Sequence, residues 1–170
     1  VVDADTIVEP GFITEIVGHA AKKQCPVQAK YVLHVDGYDT DPSNHVSSLA
    51  FTVRNAVRPL GMKTLGLPCL LNGSGMALPW KLADDAPLAG GHAGEDYKLG
   101  IDLLLRGFRT HYCPQAVVRG PLPRSRQAAT VQRRRWSHSQ LTFMRQDLPR
   151  LLGDFARRGR LSSLGLACDL

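Results

Sequence analysis

Short stretches of this chain carry residue types that can do chemistry. Asp3 and Asp5 sit two apart in "DAD" near the start. On an extended segment, positions two apart project to the same side. Two carboxylates converging at a strand end suit a hard divalent cation whose remaining oxygens come from a partner such as a diphosphate. The alternative is a pair of solvated turn aspartates. Glu95 and Asp96 follow the glycine-rich "LAGGHAG" and open the run "EDYKLGIDLLLRG". One carboxylate there can serve as a general base at the mouth of a cleft, although acidic residues in a first helical turn also simply satisfy the helix dipole. His92 is either a second titrating group or a plain loop residue. In "QRRRW", Gln132, Arg135 and Trp136 stand at i, i+3 and i+4 and line one helical stripe, while Arg133 and Arg134 point elsewhere. A guanidinium fork matches phosphate oxygens, and an indole can lie against a sugar ring. The alternative is a basic surface helix whose Trp enters the core.

These groups need a scaffold. Residues 1–5 read as the end of a buried strand. "EPGFITEIVGHAAKK" reads as a helix with Pro10 in its first turn and Phe12, Ile16 and Val17 on one face. "VQAKYVLHV" has strand composition. "PSNHVSSLAFTVRNAVRPLG" reads as a helix capped near Ser43 or Asn44 and stopped by Pro59 and Gly61. "LPCLLNGSGMALPW" predicts a strand entering a tight turn at Gly73-Ser74-Gly75. The run from Glu95 is a helix with Leu99, Ile101, Leu103 and Leu104 on a broad apolar face, stopped at Gly107. "RTHYCPQAVV" predicts a strand that Pro114 assigns to a sheet edge. A long helix from about Arg124 to Gln146 follows. Alternating strands and helices imply an α/β sheet domain.

The 170 residues allow one domain with a real core, and 44% apolar with 21% charged residues excludes disorder. Cys25, Cys69, Cys113 and Cys168 are dispersed without a CxxC pair, which fits a reducing compartment better than a disulfide framework or a zinc site. The net charge of +6 is concentrated in the arginine-rich last third, a composition that favours phosphates. A nucleic-acid-binding module is one alternative, but Trp136 alone interleaves those arginines, and no helix-turn-helix or zinc-finger spacing occurs. Both ends read as cut: "VVDADT" has no initiator Met, and "LSSLGLACDL" stops as an apolar run develops.

The order of the motifs is more specific than any one of them. Asp3-Ala4-Asp5, then Glu95-Asp96-Tyr97, then Gln132-Arg133-Arg134-Arg135-Trp136 resembles the family 2 glycosyltransferases, which include cellulose, chitin and hyaluronan synthases. "NGSGMAL" at 72–78 resembles that family's glycine-serine turn near the acceptor, with Gly73 and Ser74 at the matching places. The resemblance runs from residue 1 to about residue 140. It implies the GT-A fold, a mixed sheet flanked by helices, of which this chain would be the C-terminal half. The upstream half that holds the nucleotide base and ribose would be absent.

The resemblance also implies roles. Asp5 would ligate Mg²⁺ or Mn²⁺ on the diphosphate of a nucleotide-sugar donor, a UDP-sugar, with Asp3 in contact with the donor or the metal shell. Asp96 would be the base that deprotonates the acceptor hydroxyl, working best with a modestly raised pKa, in a single inverting displacement. Glu95 would orient the site, Gln132 and Arg135 would approach the pyrophosphate, and Trp136 would border the acceptor sugar. Gly94 stands where the processive synthases carry Thr, and Asn72 where they carry Cys. Both point away from a polymer synthase and toward an enzyme that adds sugar to a lipid or glycan. An inactive glycosyltransferase-like domain is a further alternative. Beyond Gln146, Leu148, Leu151, Leu152 and Phe155 form an apolar face beside Arg150, Arg157 and Arg158. That composition predicts a membrane-interfacial helix over 147–170 leading toward a span at Leu164–Leu170. With the resemblance it implies a membrane-associated enzyme with its catalytic domain on the cytoplasmic face, and no nucleic-acid partner.

Overall fold

The computed structural model describes residues 1–35, 41–84, 94–123 and 126–170, apart from the side chains of Arg126, Arg133 and Ser139. His92, the start of the long helix at Arg124 and the direction of Arg133 lie outside the described residues. A mixed sheet organises the rest. Its strands are β1 (Ile7–Val8), β2 (Val27–His34), β3 (Met76–Ala77) and β4 (His111–Pro121), in the order β1-β4-β2-β3. β2 and β4 run parallel, and β1 and β3 pair antiparallel to their neighbours. Helix α1 (Phe12–Lys23) covers one face, burying Phe12, Ile16 and Ala20 against Val27, Ala29, Ala116 and Val118. Val17, expected on that face, is 52% exposed. The buried line runs i, i+4, i+8 from Phe12, and Val17 stands about 100° round the helix from Ile16. Pro10 precedes the helix rather than entering its first turn.

Other expectations are corrected by how the chain accommodates its prolines and ends. Residues 1–5 are exposed and irregular rather than a buried strand, and the Thr6 N–H to Asp3 C=O bond closes a turn there. The second helix is capped by Asp41, whose carboxylate accepts the Ser43 N–H, and not by Ser43 or Asn44. It runs through Pro59 and Gly61 instead of stopping: α2 (Pro42–Thr52) passes into a π-helical turn (Val53–Val57) and on into α3 (Arg58–Thr64). Proline lacks an N–H and crowds the carbonyl four residues back. The wider π turn one step upstream gives that carbonyl room. Residues 67–72 cross the core without strand pairing; Leu70 and Leu71 are buried, and the Cys69 N–H reaches the Thr110 carbonyl. β4 is an inner strand, not an edge. Its register with β2 jumps from Cys113 to Val117 where Ala29 gives way to Lys30, so Pro114 falls in a bulge that needs no ladder hydrogen bond.

After the short α4 (Trp80–Asp84), α5 (Glu95–Leu105) buries Leu99, Ile101, Leu103 and Leu104 as its pattern requires. α6 (Arg126–Gln146) is long and mostly exposed, with Phe143 its buried anchor. α7 (Leu148–Arg158) and α8 (Leu161–Asp169) pack on α5 through Leu151, Leu166, Ile101 and Leu104. The apolar face of α7 is therefore turned inward: Leu151 is fully buried and Leu148 and Phe155 are partly buried, leaving Leu152 outside. The basic side is held by ion pairs, Arg150 with Asp102 and Asp147, and Arg158 and Arg160 with Asp154. The apolar end of the chain is a packed helix, and among the described residues no helix is long and apolar enough to cross a membrane.

Candidate active site

The site grows from the N-terminus of α5. Gly94 offers no capping side chain, and the Asp96 carboxylate interacts with the backbone N–H groups of Asp96 and Tyr97. Burial is the larger effect and pushes the Asp96 carboxyl up to about 6; the backbone N–H groups oppose it, and the negative charges of Glu95 and Asp3 reinforce it. A carboxylate in that range stays ionised at neutral pH yet holds a proton far better than a solvated aspartate. The neighbouring Glu95 has its Oε2 buried and without a hydrogen-bond partner among the described residues.

The glycine-serine turn joins this carboxylate to the "DAD" turn. Gly73 adopts φ +79°, and a Cβ there would stand 3.3 Å from Asp96 Oδ2, so glycine both permits the backbone and leaves space for the carboxylate. Ser74 is fully buried, and its Oγ accepts the Asp3 N–H at 3.2 Å and bonds Thr6 Oγ1 at 3.1 Å. Gln28 holds the turn from beneath: its amide donates to the Ser74 carbonyl at 2.9 Å, and its Oε1 accepts the Asn72 N–H at 2.8 Å. Asp3 and Asp5 remain exposed, and both charges raise the pKa of the Tyr31 phenol, after the larger effect of its burial. Their convergence on Tyr31 arises from a turn, not from the strand periodicity expected of them.

A cavity of about 640 Å³ opens beside Asp96. Asp96, Gln132 and Trp136 all line it, together with Tyr31, Phe51 and Arg54. The α6 positions that face it are 129, 132, 136, 140 and 143, one stripe of the helix. Arg135 precedes Trp136 by a single residue, about 100° round the helix, and it is exposed and outside this lining. Trp136 meets Phe51 in a tilted pair at 6.0 Å, and Phe51 meets Tyr31 edge-on at 5.0 Å. This aromatic chain connects α6 to the sheet. Asp3, Asp5, Gly73 and Ser74 do not line the cavity; they stand behind Asp96 and Tyr31.

Sequence reasoning missed several of these residues. Phe51, Arg54 and Asn55 lie at i, i+3 and i+4 on the second helix and all reach the cavity, a spacing that was available to be read. Arg54 lies 5.5 Å from the centre of the Tyr97 ring. Gln28 carried a signal too, as a polar residue between Val27 and Ala29 at the start of β2. Tyr31 carried none, because only the sheet brings it to Asp3 and Asp5.

No His, Cys, Asp or Glu cluster of three or more that could hold a metal occurs among the described residues. Asp3 and Asp5 supply oxygen donors, the kind a hard divalent cation takes, and such a cation would complete its shell with substrate oxygens and water. No curated protein sequence matches the chain. The family described as Glycosyltransferase like family 2 matches residues 1–139. A match over that much of the chain agrees with the mixed, helix-flanked sheet, and it makes this protein a member of glycosyltransferase family 2, an α/β enzyme of the GT-A type.

Proposed function

We propose that this glycosyltransferase is inverting and metal-dependent, moving a sugar from a nucleotide-diphosphate donor, a UDP-sugar, to a hydroxyl of a lipid or glycan acceptor. The observation that carries the reading is the adjacency of Asp3, Ser74, Gly73 and Asp96: the Asp3 N–H bonds Ser74 Oγ at 3.2 Å, and a Cβ placed on Gly73 would stand 3.3 Å from Asp96 Oδ2. It sets an acidic turn, open to solvent, against one partly buried carboxylate that lines a cavity.

Asp5, with Asp3, would hold Mg²⁺ or Mn²⁺. When bound, the ion supplies positive charge to the diphosphate as it departs. Asp96 accepts the proton of the acceptor hydroxyl while that oxygen forms its bond to the anomeric carbon. The bond from that carbon to the diphosphate oxygen breaks on the opposite face, so configuration inverts and the nucleoside diphosphate carries away the electron pair. A carboxylate raised to about 6 suits this work, because a base is most effective when its pKa approaches the working pH. Gln132 approaches the pyrophosphate from the cavity lining, and Trp136 borders the acceptor, its indole offering a flat apolar plane to a sugar ring. Gly73 and Ser74 keep the carboxylate and the acidic turn in register. Glu95 orients the site, and Arg135 reaches toward the pyrophosphate from outside the cavity.

The test is transfer from UDP-sugars to lipid and glycan hydroxyls, with the anomeric configuration of the product read by NMR. Activity should vanish with EDTA and return with Mn²⁺. A product of retained configuration, or an Asp96→Asn variant as fast as wild type, would overturn the proposal.

A further inference from the structure

The continuous helix from Pro42 to Thr64 has a face that the catalytic reading does not use. Val46, Leu49, Val53, Val57 and Leu60 follow one another three or four residues apart, and each is between 43% and 65% exposed. The opposite side of the same helix holds the buried Asn55, Ala56 and Pro59 against the sheet. An apolar stripe of this length on the outside of a folded protein marks a contact surface.

Charge decides what the surface contacts. No Asp or Glu occurs between Asp41 and Asp84. Lys63 stands three residues beyond Leu60 and extends the stripe by one step. The charges of Lys63, Lys23 and Lys22 all lower the pKa of His19, after the larger effect of its burial, and those of Lys23, Arg109 and Lys63 do the same at His111. Lys63, Lys23, Lys22 and Arg109 therefore stand near the His19–His111 pair, whose rings are 6.3 Å apart, with Glu15 opposing them at His19. Two copies of the chain meeting stripe to stripe would carry the same positive charge, on a protein whose net charge is +6. An anionic lipid surface complements both features, since apolar side chains enter the headgroup boundary while lysines meet phosphates.

We propose that the α2–α3 helix seats this protein on an anionic membrane surface, with Val46, Leu49, Val53, Val57 and Leu60 inserted and the Lys22, Lys23, Lys63 and Arg109 cluster against the headgroups. Val46 also lines the cavity beside Asp96, so this seating turns the cavity mouth toward the lipid. The seat differs from the one the C-terminal composition predicted, because the face of α7 is used inside the fold. It does not depend on the chemistry assigned to Asp96, and its test reads no activity.

The test is co-sedimentation of the chain with vesicles of phosphatidylcholine alone or mixed with phosphatidylglycerol. Wild type should sediment with the mixed vesicles. Leu49→Glu and Val53→Glu, at exposed positions where the fold is untouched by circular dichroism, should each weaken partitioning by about tenfold or more. Lys63→Glu should weaken it roughly fivefold on the anionic vesicles only. Leu161→Glu, at an exposed leucine off the stripe, should bind as wild type. The proposal is overturned if the stripe variants partition as wild type. It is equally overturned if Leu152→Glu alone abolishes binding, or if wild type ignores vesicles and light scattering gives a dimer that Leu49→Glu dissociates.

Discussion

The two walls of the candidate site are built differently. Most of the wall behind Asp96 lies outside the cavity lining: Ser74, Gln28 and the Asp3 and Asn72 N–H groups, far apart in sequence, interlock through hydrogen bonds, and Gly73 stands against the carboxylate. The wall on α6 is a long, mostly exposed helix that touches the rest of the cavity through Trp136, Phe51 and Phe143. A wall of the first kind fixes reacting groups, where an error of an ångström is costly. A wall of the second kind can adapt to the shape of an acceptor. Substitutions on the first should therefore act on the chemical step, and those on the second on binding.

The largest effect is expected at Asp96. Asp96→Asn should lower transfer by roughly 10²–10⁴-fold while raising stability at neutral pH. The sign follows from the raised pKa. The folded state holds the Asp96 proton more tightly than the unfolded state, so the stabilisation is full below the ordinary aspartate range and is lost as pH rises through about 6. Above that pH, removing the charge should stabilise by about 1–3 kcal/mol, visible as a higher Tm at pH 8 and little change at pH 4. In wild type, kcat/KM should fall on the acid side with a midpoint near 6.

Asp5→Ala comes next, with a loss of about 10²–10³-fold in transfer and weakened Mn²⁺ binding by calorimetry in the presence of a nucleoside diphosphate. Unchanged Mn²⁺ affinity would remove Asp5 from the metal. Gly73→Ala separates strain from contact when set against Gly11→Ala. Both glycines have positive φ, +79° and +82°, but a Cβ at Gly11 meets nothing within 4 Å. Each variant should lose about 1–2 kcal/mol of stability; only Gly73→Ala, whose methyl crowds the Asp96 carboxylate, should also lower kcat. Equal activities would show that the two walls do not differ as described. The smallest effects belong to α6. Trp136→Ala should raise the acceptor KM by about 2–10-fold with kcat nearly unchanged, and Arg135→Ala should raise the donor KM and leave the acceptor KM alone.

Much of this site was legible before the structure. The start of α5 at Glu95, the turn at Gly73-Ser74 and the helical stripe from Gln132 to Trp136 are local patterns, and local patterns survive folding. Expectations that required knowing what lies beside a segment fared differently. Pro114 names an edge only if no bulge absorbs it, and Pro59 stops a helix only if no π turn widens it. The apolar pattern of α7 suits a membrane face and a packed face alike, and only the fold shows Leu151 packed with residues of α5 and α8.

The chain's residue types and spacings determined by themselves which groups could bind a cation, take a proton and stack on a sugar, because those capacities belong to the side chains. Tertiary structure alone decided that Asp96 is buried enough to titrate near 6, that Trp136 rather than Arg135 faces the cavity, and that Tyr31 borders the acidic turn. Burial and convergence are properties of contacts between residues far apart in the chain, and no short stretch of sequence contains them.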